Sequence, residues 1–354
     1  MSQNSEKSSK FCLRIRLPKS FGRLSSFLPK LKSSSSQSPK LPSSSIRIDT
    51  ASTPRCITTF PARVHRDELW ISKGAIIARK KFENLLPNPD YRSHSMGPYG
   101  NFFSFCWPEG KKERVRLGTE IIETLWLYDD VIEDLPYTGA METHASVRDT
   151  LAGNSSKASR KIQVAVLFKD FGQRLAQLDE EGAPRVIDAL KSYISTYDSN
   201  ETPFATIEEF IEFRIFNVGF GIMESFMQWS LGLYLDEHEQ EMSREYYLSS
   251  GRVMGMTNDL YSWNVERTEK SDRNWNAVPI IMRQHDFSEL KATIYLRGLI
   301  VYHEQETRRL GQELLEKSRN SPKMQIYVYI MGLMLGGNSF WSSTCPRYNP
   351  ELEL

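Results

Sequence analysis

The stretch MGMTNDLYSWNVE, residues 254–266, combines a helical pattern of apolar residues with a polar stripe. Asn258, Ser262 and Glu266 lie four residues apart. Four helical residues make slightly more than one turn, so the three side chains follow one face over about 12 Å. Most of the other residues are apolar, and we therefore expect a helix that is buried on much of its circumference. A polar stripe on such a helix needs partners, and its amide, hydroxyl and carboxylate oxygens suit hard cations.

The same helical spacing of apolar residues continues along most of the chain. It recurs in seven segments: 115–135, 160–178, 184–197, 206–235, 243–266, 287–318 and 324–341. None of them shows the alternation that is typical of a strand. Segments of this length, joined by short breaks of Gly, Pro, Asn and Ser, predict an all-α helical bundle.

One of these segments is long and uncharged. Residues 324–346 contain no charged side chain, but only about the first dozen are strongly apolar, and Gly, Asn, Ser and Thr follow Leu335. A membrane-spanning helix needs about 20 apolar residues. The pattern therefore predicts a buried core helix that ends in a polar loop, and no transmembrane span.

A second polar cluster, LYDDVIED at residues 127–134, follows an apolar helical segment. Asp129 and Glu133 lie four residues apart, on one helical face. Negatively charged side chains near the C-terminal end of a helix interact unfavourably with the helix macrodipole. Neighbouring acids also repel each other unless they are solvated or bridged by cations. Carboxylates are ligands of Mg²⁺, whose coordination is commonly completed by waters and substrate phosphates. Both a solvated helix end and a magnesium site fit this cluster.

The composition excludes several classes of function. The net charge is +1, but residues 1–50 hold ten Lys or Arg and two acids, so the rest of the chain is acidic. An acidic body argues against a nucleic-acid partner, because phosphate contacts need a cationic face. The four cysteines lack zinc-site spacing, and no phosphate-binding glycine loop occurs.

The first 57 residues differ in composition from the remainder. Fifteen of the first fifty are serine and four are proline, so we expect a disordered basic tail at 1–57 and one α-helical domain at 58–354. The Ser-rich, Arg-containing composition fits an organelle-targeting segment, and it also fits a plain basic tail or translated sequence before the true start. Without targeting, the cytoplasm is the expected location.

The two polar clusters together, in this order and about 130 residues apart, resemble the class I terpene synthase (terpene cyclase) family. The closest similarity is to the cyclase domain of fungal chimeric terpene synthases and their stand-alone relatives. Three further motifs carry it: FPARVH at 60–65, NWNAV at 274–278 and WSSTCPRY at 341–348. The resemblance covers about residues 60–350.

This resemblance implies a helical bundle around an apolar cavity. In such enzymes three Mg²⁺ ions, for which Mn²⁺ can substitute, hold the diphosphate of a linear isoprenyl diphosphate. Ionisation releases diphosphate, and the allylic cation cyclises to a hydrocarbon or alcohol. The substrate would be farnesyl, geranylgeranyl or geranylfarnesyl diphosphate. The chimeric proteins also carry a prenyltransferase domain, so we expect substrate to be supplied in trans to a monomer or homodimer.

The resemblance also assigns roles to individual positions. The metal ligands would be Asp129, Asp130, Glu133, Asn258, Ser262 and Glu266. The residues that act on the diphosphate would be Arg214, the helix-break residues Asn217 and Val218, and the pair Arg347 and Tyr348. The family often has lysine where this chain has Val265.

Aromatic side chains could line the cavity and stabilise a carbocation through cation–π contacts. By helical spacing from the polar clusters, the candidates are Trp126, Phe220 and Trp341. Simple core packing is the alternative for each of them.

Two other functions stay open at the level of sequence. A trans-prenyltransferase uses similar metals but would be expected to have a second D-D-x-x-D, where this chain has Asn258-Asp259-Leu260-Tyr261-Ser262. A non-catalytic isoprenoid-binding protein would keep the fold without turnover. A protonation-driven cyclase is disfavoured because no D-x-D-D occurs.

Overall fold

Helices form nearly all of the regular structure in the described part of the chain. The computed structural model describes residues 45–53, 55–86, 93–133, 135–153, 163–196, 204–268 and 275–350, all within one compact unit that spans residues 39–354. The predicted all-α fold is confirmed.

Thirteen α-helices occur in these residues. They are α1 (Glu68–Ile71), α2 (Lys73–Leu85), α3 (Phe102–Cys106), α4 (Lys112–Glu133), α5 (Tyr137–Leu151), α6 (Phe171–Leu178), α7 (Ala183–Thr196), α8 (Ile207–Asn217), α9 (Phe220–Leu231), α10 (Glu237–Glu266), α11 (Ala277–His285), α12 (Glu289–Lys317) and α13 (Pro322–Thr344). Two short antiparallel pairs join β1 (Ser45–Arg47) to β2 (Arg63–His65), and β3 (Met96–Gly97) to β4 (Gly100–Asn101).

The long helix α10 packs against α8, α12 and α13. It begins with a capping box between Asp236 and Glu239. Gly251 and Gly255, one turn apart, face α8, where an added Cβ at Gly251 would approach Ile215 to 2.6 Å and one at Gly255 would approach Arg214 to 3.0 Å. The two glycines therefore let α8 lie close to α10, which brings Arg214 beside the polar stripe.

The segment 206–235 is divided into two helices. Helix α8 ends at Asn217 with Val218 as its C-cap, and Gly219, with φ of 77°, precedes α9. This left-handed conformation costs glycine little. The resemblance placed a helix break at Asn217 and Val218, and in the structure one helix ends here and the next begins at Phe220.

Helix α13 corrects the prediction that its apolar part ends in a polar loop. It stays helical through Thr344, and Asn338, Ser339 and Ser342 are buried. The small residues serve close packing, since a Cβ at Gly336 would overlap the backbone of Pro61 and one at Gly337 would overlap that of Phe105. Within the described residues, no helix is long and apolar enough to cross a membrane.

The described residues begin at Ser45, within the segment 1–57 that we expected to be a tail. Strand β1 pairs with β2, and the Ile48 amide donates to the Ala62 carbonyl at 3.0 Å. The Tyr261 hydroxyl donates to the Arg55 carbonyl at 2.5 Å. Backbone pairing, which composition does not report, thus holds these residues of the expected tail against the helices. The expected disorder of residues 1–44 lies outside the described residues.

Candidate active site

A cavity of about 450 Å³ lies among α4, α8, α9, α10 and the C-terminal part of α13. Its polar lining includes His94, Asp129, Asp130, Arg214, Asn217, Asn258, Ser262, Glu266, Asn338, Arg347 and Tyr348. Its apolar and aromatic lining includes Phe102, Ile122, Leu125, Trp126, Ile132, Tyr193, Val218, Ile222, Met223, Met254, Trp275 and Trp341. The structure thus brings most of the residues singled out in the sequence to one cavity of ligand-binding size.

The acidic end of α4 forms one wall. Asp129 and Asp130 both line the cavity. Burial raises the pKa of Asp130 to about 7, and its Oδ2 lies 2.7 Å from Nε2 of His94. Glu133 is the last residue of α4, but its side chain lies outside the described part of the chain, so its role as a ligand stays a prediction.

The polar stripe of α10 lines the same cavity. Asn276, which caps α11, donates from its side-chain amide to Glu266 at 2.8 Å and approaches the Ser262 hydroxyl at 3.4 Å. The side-chain amide of Asn258 donates to the Tyr348 hydroxyl at 2.9 Å. These contacts are the partners that a polar stripe on a buried helix requires.

Arg214 connects α8 to this stripe through its guanidinium. Nε donates to Asp259 at 2.8 Å, Nη2 donates to the side-chain oxygen of Asn258 at 2.7 Å, and Nη1 donates to that of Asn217. Burial alone would lower the pKa of Arg214, but the charges of Asp259 and Glu266 outweigh it and raise the pKa.

The ionic partner of Arg214 is therefore Asp259, a residue of the α10 motif that the sequence did not single out. Burial raises the pKa of Asp259 to about 7, and the guanidinium opposes that rise. Glu212, an acid two residues before Arg214 on α8, pairs instead with Arg252, 2.7 Å away.

The residues after α13 also reach the cavity. Arg347 is exposed and Tyr348 is half-buried, and both line it. The Tyr348 ring lies 5.7 Å from the Trp341 ring, edge to face. A guanidinium at the exposed border and a tyrosine hydroxyl bonded to Asn258 are suitable donors for an anionic ligand.

Three aromatic rings form part of the apolar lining. Phe102 lies 4.9 Å from Trp341 and 5.4 Å from Trp126, between ring centroids. Phe220 does not line the cavity. It is fully buried, with its ring 4.9 Å from that of Tyr247. Core packing, the alternative considered for each aromatic, therefore describes Phe220.

Sequence reasoning missed several lining residues, among them His94, Phe102 and Tyr193. His94 and Phe102 lie in a stretch without helical periodicity, and Tyr193 lies on α7, so no local pattern relates them to the polar clusters. Asp259 could have been found, because an acid adjacent to Asn258 in a largely apolar helix needs a partner.

The oxygen donors fit a magnesium site in their chemistry. Carboxylate, amide and hydroxyl oxygens from Asp129 on α4 and from Asn258, Ser262 and Glu266 on α10 face one cavity. No three His, Cys, Asp or Glu side chains among the described residues are grouped closely enough to hold a metal. Amide, hydroxyl and phosphate oxygens would therefore have to complete the coordination.

The amino-acid sequence also matches a known family. Residues 120–306, which contain both polar clusters, match the family model described as terpene synthase family 2, C-terminal metal binding. This range is slightly more than half of the chain.

Curated fungal relatives match over most of this chain. Sesterterpene synthase btcA of Colletotrichum orbiculare is 26% identical over 317 residues, which are 85% of this chain and 44% of the relative. Fusicoccadiene synthase of Phomopsis amygdali is 28% identical over 303 residues, 79% of this chain and 41% of the relative. The chain thus spans less than half the length of these curated relatives.

Solved structures share the fold at low sequence identity. Aristolochene synthase from Penicillium roqueforti has a TM-score of 0.64 at 16% identity, covering 78% of this chain and 95% of that one. Wild-type cucumene synthase has a TM-score of 0.66 at 11% identity, covering 80% and 98%. At such identities the likeness shows the helical fold alone.

Proposed function

Because the chain belongs to terpene synthase family 2, we propose that it is a class I terpene cyclase, a carbon–oxygen lyase that acts on a linear isoprenyl diphosphate. The carbon–oxygen bond to the diphosphate breaks, both electrons leave with the diphosphate, and the allylic cation closes into rings. Proton loss then yields a hydrocarbon, or addition of water followed by loss of a proton yields an alcohol.

One observation carries the proposal. Oxygen donors on α4 and on α10, Asp129 on one helix and Asn258, Ser262 and Glu266 on the other, face a cavity whose other lining is largely apolar and aromatic. Such a cavity offers ligands for a metal-bound diphosphate together with a surface for a hydrocarbon chain. A substrate with an anionic head and an apolar tail fits both.

The residues that would hold the metals are Asp129, Asp130, Asn258, Ser262 and Glu266, with Glu133 as a further candidate. We propose three Mg²⁺ ions, for which Mn²⁺ could substitute. When bound, these ions would neutralise the charge of the diphosphate and make it a better leaving group. Asn276 supports this arrangement because its amide holds the Glu266 carboxylate at 2.8 Å.

Two arginines would contact the diphosphate directly. The guanidinium of Arg214 is positioned by Asp259 and Asn217 next to Asn258, and its planar group can donate two parallel hydrogen bonds to a phosphate. Arg347, exposed at the cavity, and Tyr348 would also donate to the diphosphate. Together they would orient the leaving group before the bond breaks.

The apolar lining would protect the carbocation. Rings such as Trp126 and Trp341 can stabilise a nearby cation by about 0.5–2 kcal/mol each without capturing it. Apolar walls also exclude water, which would otherwise trap the cation.

The proposal is tested by incubating purified protein and Mg²⁺ with farnesyl, geranylgeranyl and geranylfarnesyl diphosphate, one at a time. We expect diphosphate release together with a cyclic terpene in gas chromatography–mass spectrometry. Asp129→Asn protein is the control and should give neither.

The alternatives give different results in the same assay. A trans-prenyltransferase would release diphosphate only when isopentenyl diphosphate is added, and its product would be a longer diphosphate. A non-catalytic isoprenoid-binding protein would release none. Either result would contradict the cyclase proposal.

A further inference from the structure

His94 contacts a proposed metal ligand, although it belongs to none of the motifs in the sequence. It lies just before β3 and lines the cavity. Its Nε2 is 2.7 Å from Oδ2 of Asp130, and its buried Nδ1 has no hydrogen-bond partner among the residues that the structure describes. An imidazole with a hydrogen on Nε2 can donate a hydrogen bond to this carboxylate oxygen.

The backbone around His94 is held by a buried carboxylate of α4. Glu123 accepts the Ser93 hydroxyl and the His94 amide, each at 2.7 Å, and the Ser95 amide at 3.0 Å. Glu123 is seven residues before Asp130, two helical turns away on the same face of α4. One helix thus provides both the anchor of the loop and the acid that the loop contacts.

Two more contacts fix the same loop from other elements. The Trp341 indole of α13 donates to the Ser95 carbonyl at 3.0 Å, and the Asn101 side chain donates to the Ser95 hydroxyl at 2.6 Å. Residues 93–95 are therefore tied to α4, α13 and the start of α3. The imidazole is held in place by fixed backbone on one side and by the Asp130 carboxylate on the other.

We propose that His94 is a positioning residue that holds Oδ2 of Asp130, so that Oδ1 is the oxygen left for a metal ion. The inference rests on the proposed metal-dependent function. A mobile carboxylate loses side-chain conformational entropy when it binds a metal ion. A hydrogen bond that already fixes the carboxylate reduces this entropic cost of binding. Outer contacts of this kind change metal affinity by about 10–100-fold.

Three substitutions separate positioning from simple support of the fold. His94→Leu and His94→Ala remove the donor. His94→Gln keeps one, because the amide nitrogen of glutamine can occupy the place of Nε2 of the imidazole. His303→Leu is the control, since His303 is a half-buried histidine on α12 that lines none of the cavity.

The measurement is the Mg²⁺ concentration that gives half of the thermal shift at a fixed concentration of inorganic diphosphate. It requires no turnover. For His94→Leu and His94→Ala we expect a rise of at least about tenfold, and for His94→Gln and His303→Leu a change of less than about threefold. Turnover of the donor-free variants should recover as Mg²⁺ is raised.

Two results would overturn the inference. One is an unchanged Mg²⁺ requirement in whichever donor-free variant folds, even if its melting temperature falls. The other is a glutamine variant as impaired as the leucine variant. If the wild-type protein itself shows no Mg²⁺-dependent shift with diphosphate and no turnover, the proposed function fails, and this inference fails with it. If the wild-type protein turns over normally and either of the first two results is found, the role of His94 is refuted and the proposed function stands.

Discussion

Replacing Arg214 with lysine tests whether the guanidinium or only its charge is needed. In the structure Arg214 donates to Asp259, Asn258 and Asn217, which lie on α10 and α8. A lysine ammonium is a single point of charge on a flexible stem and cannot reproduce this planar arrangement. The most favourable outcome for lysine keeps the bond to Asp259 and loses those to the two amide oxygens.

The expected cost follows from these contacts. Hydrogen bonds that involve a charged group contribute about 1.5–3 kcal/mol each to the free energy of unfolding. Losing the two bonds to Asn258 and Asn217 should therefore destabilise the protein by about 3–6 kcal/mol. If the guanidinium also binds the substrate diphosphate, turnover should fall by at least about tenfold, which corresponds to about 1.4 kcal/mol of transition-state stabilisation.

Arg252→Lys is a matched control. Arg252 also joins α10 to α8 with two hydrogen bonds, at 2.7 and 3.1 Å to the Glu212 carboxylate, but it lines no part of the cavity. We expect it to cost less than about 1 kcal/mol, because Glu212 is exposed, and to leave turnover unchanged. Urea unfolding and diphosphate release should be measured on both variants. Normal turnover of Arg214→Lys would refute the role in diphosphate binding, whatever its stability.

Three further predictions concern the metals, the N-terminal segment and a buried acid. Chelator should abolish turnover, and Asp129→Asn or Glu266→Gln should do the same with unchanged helical circular dichroism; full activity in chelator would exclude a metal-dependent mechanism. A chain that starts at Ser45 should keep its melting temperature and activity, whereas one that starts at Ile57 should melt at lower temperature because β1 and the strand pairing are lost; equal melting temperatures would show that this pairing contributes nothing. Burial raises the pKa of Glu224 from about 4.5 to about 7, so the stability it contributes is present below pH 4.5 and is lost as the pH rises through 7. Glu224→Gln should therefore be more stable than wild type at pH 8, by up to about 3 kcal/mol, with no gain at pH 4 in thermal melts; the same gain at both values would rule out titration as the cause.

The features that the sequence predicted are those that depend on neighbours along the chain. The all-α fold follows from apolar spacing, and the stripe of Asn258, Ser262 and Glu266 follows from the fixed turn of a helix. The order of the two polar clusters and the smaller motifs also identified the family. These patterns are local, so they can be recognised without knowing which residues pack against them.

The places where prediction and structure differ all involve partners that are distant in sequence. Phe220 and Trp126 have similar local spacing, yet Phe220 packs against Tyr247 in the core and Trp126 lines the cavity. The polar end of α13 remains helical because the backbones of Pro61 and Phe105 approach its glycines. Composition alone cannot distinguish such packing from a loop.

The amino-acid sequence by itself determined the helical class and the family, and it predicted the two sets of oxygen ligands, because each of these patterns lies within short stretches of helix. Only the tertiary structure decided which residues meet: Asp259 as the partner of Arg214, and His94 as the contact of Asp130, 36 residues away along the chain. Such pairs form when segments that are distant in sequence pack closely enough to bury a charge or a donor beside a partner. Which partner a buried group finds depends on the packing of the whole fold, so no local sequence pattern predicts it.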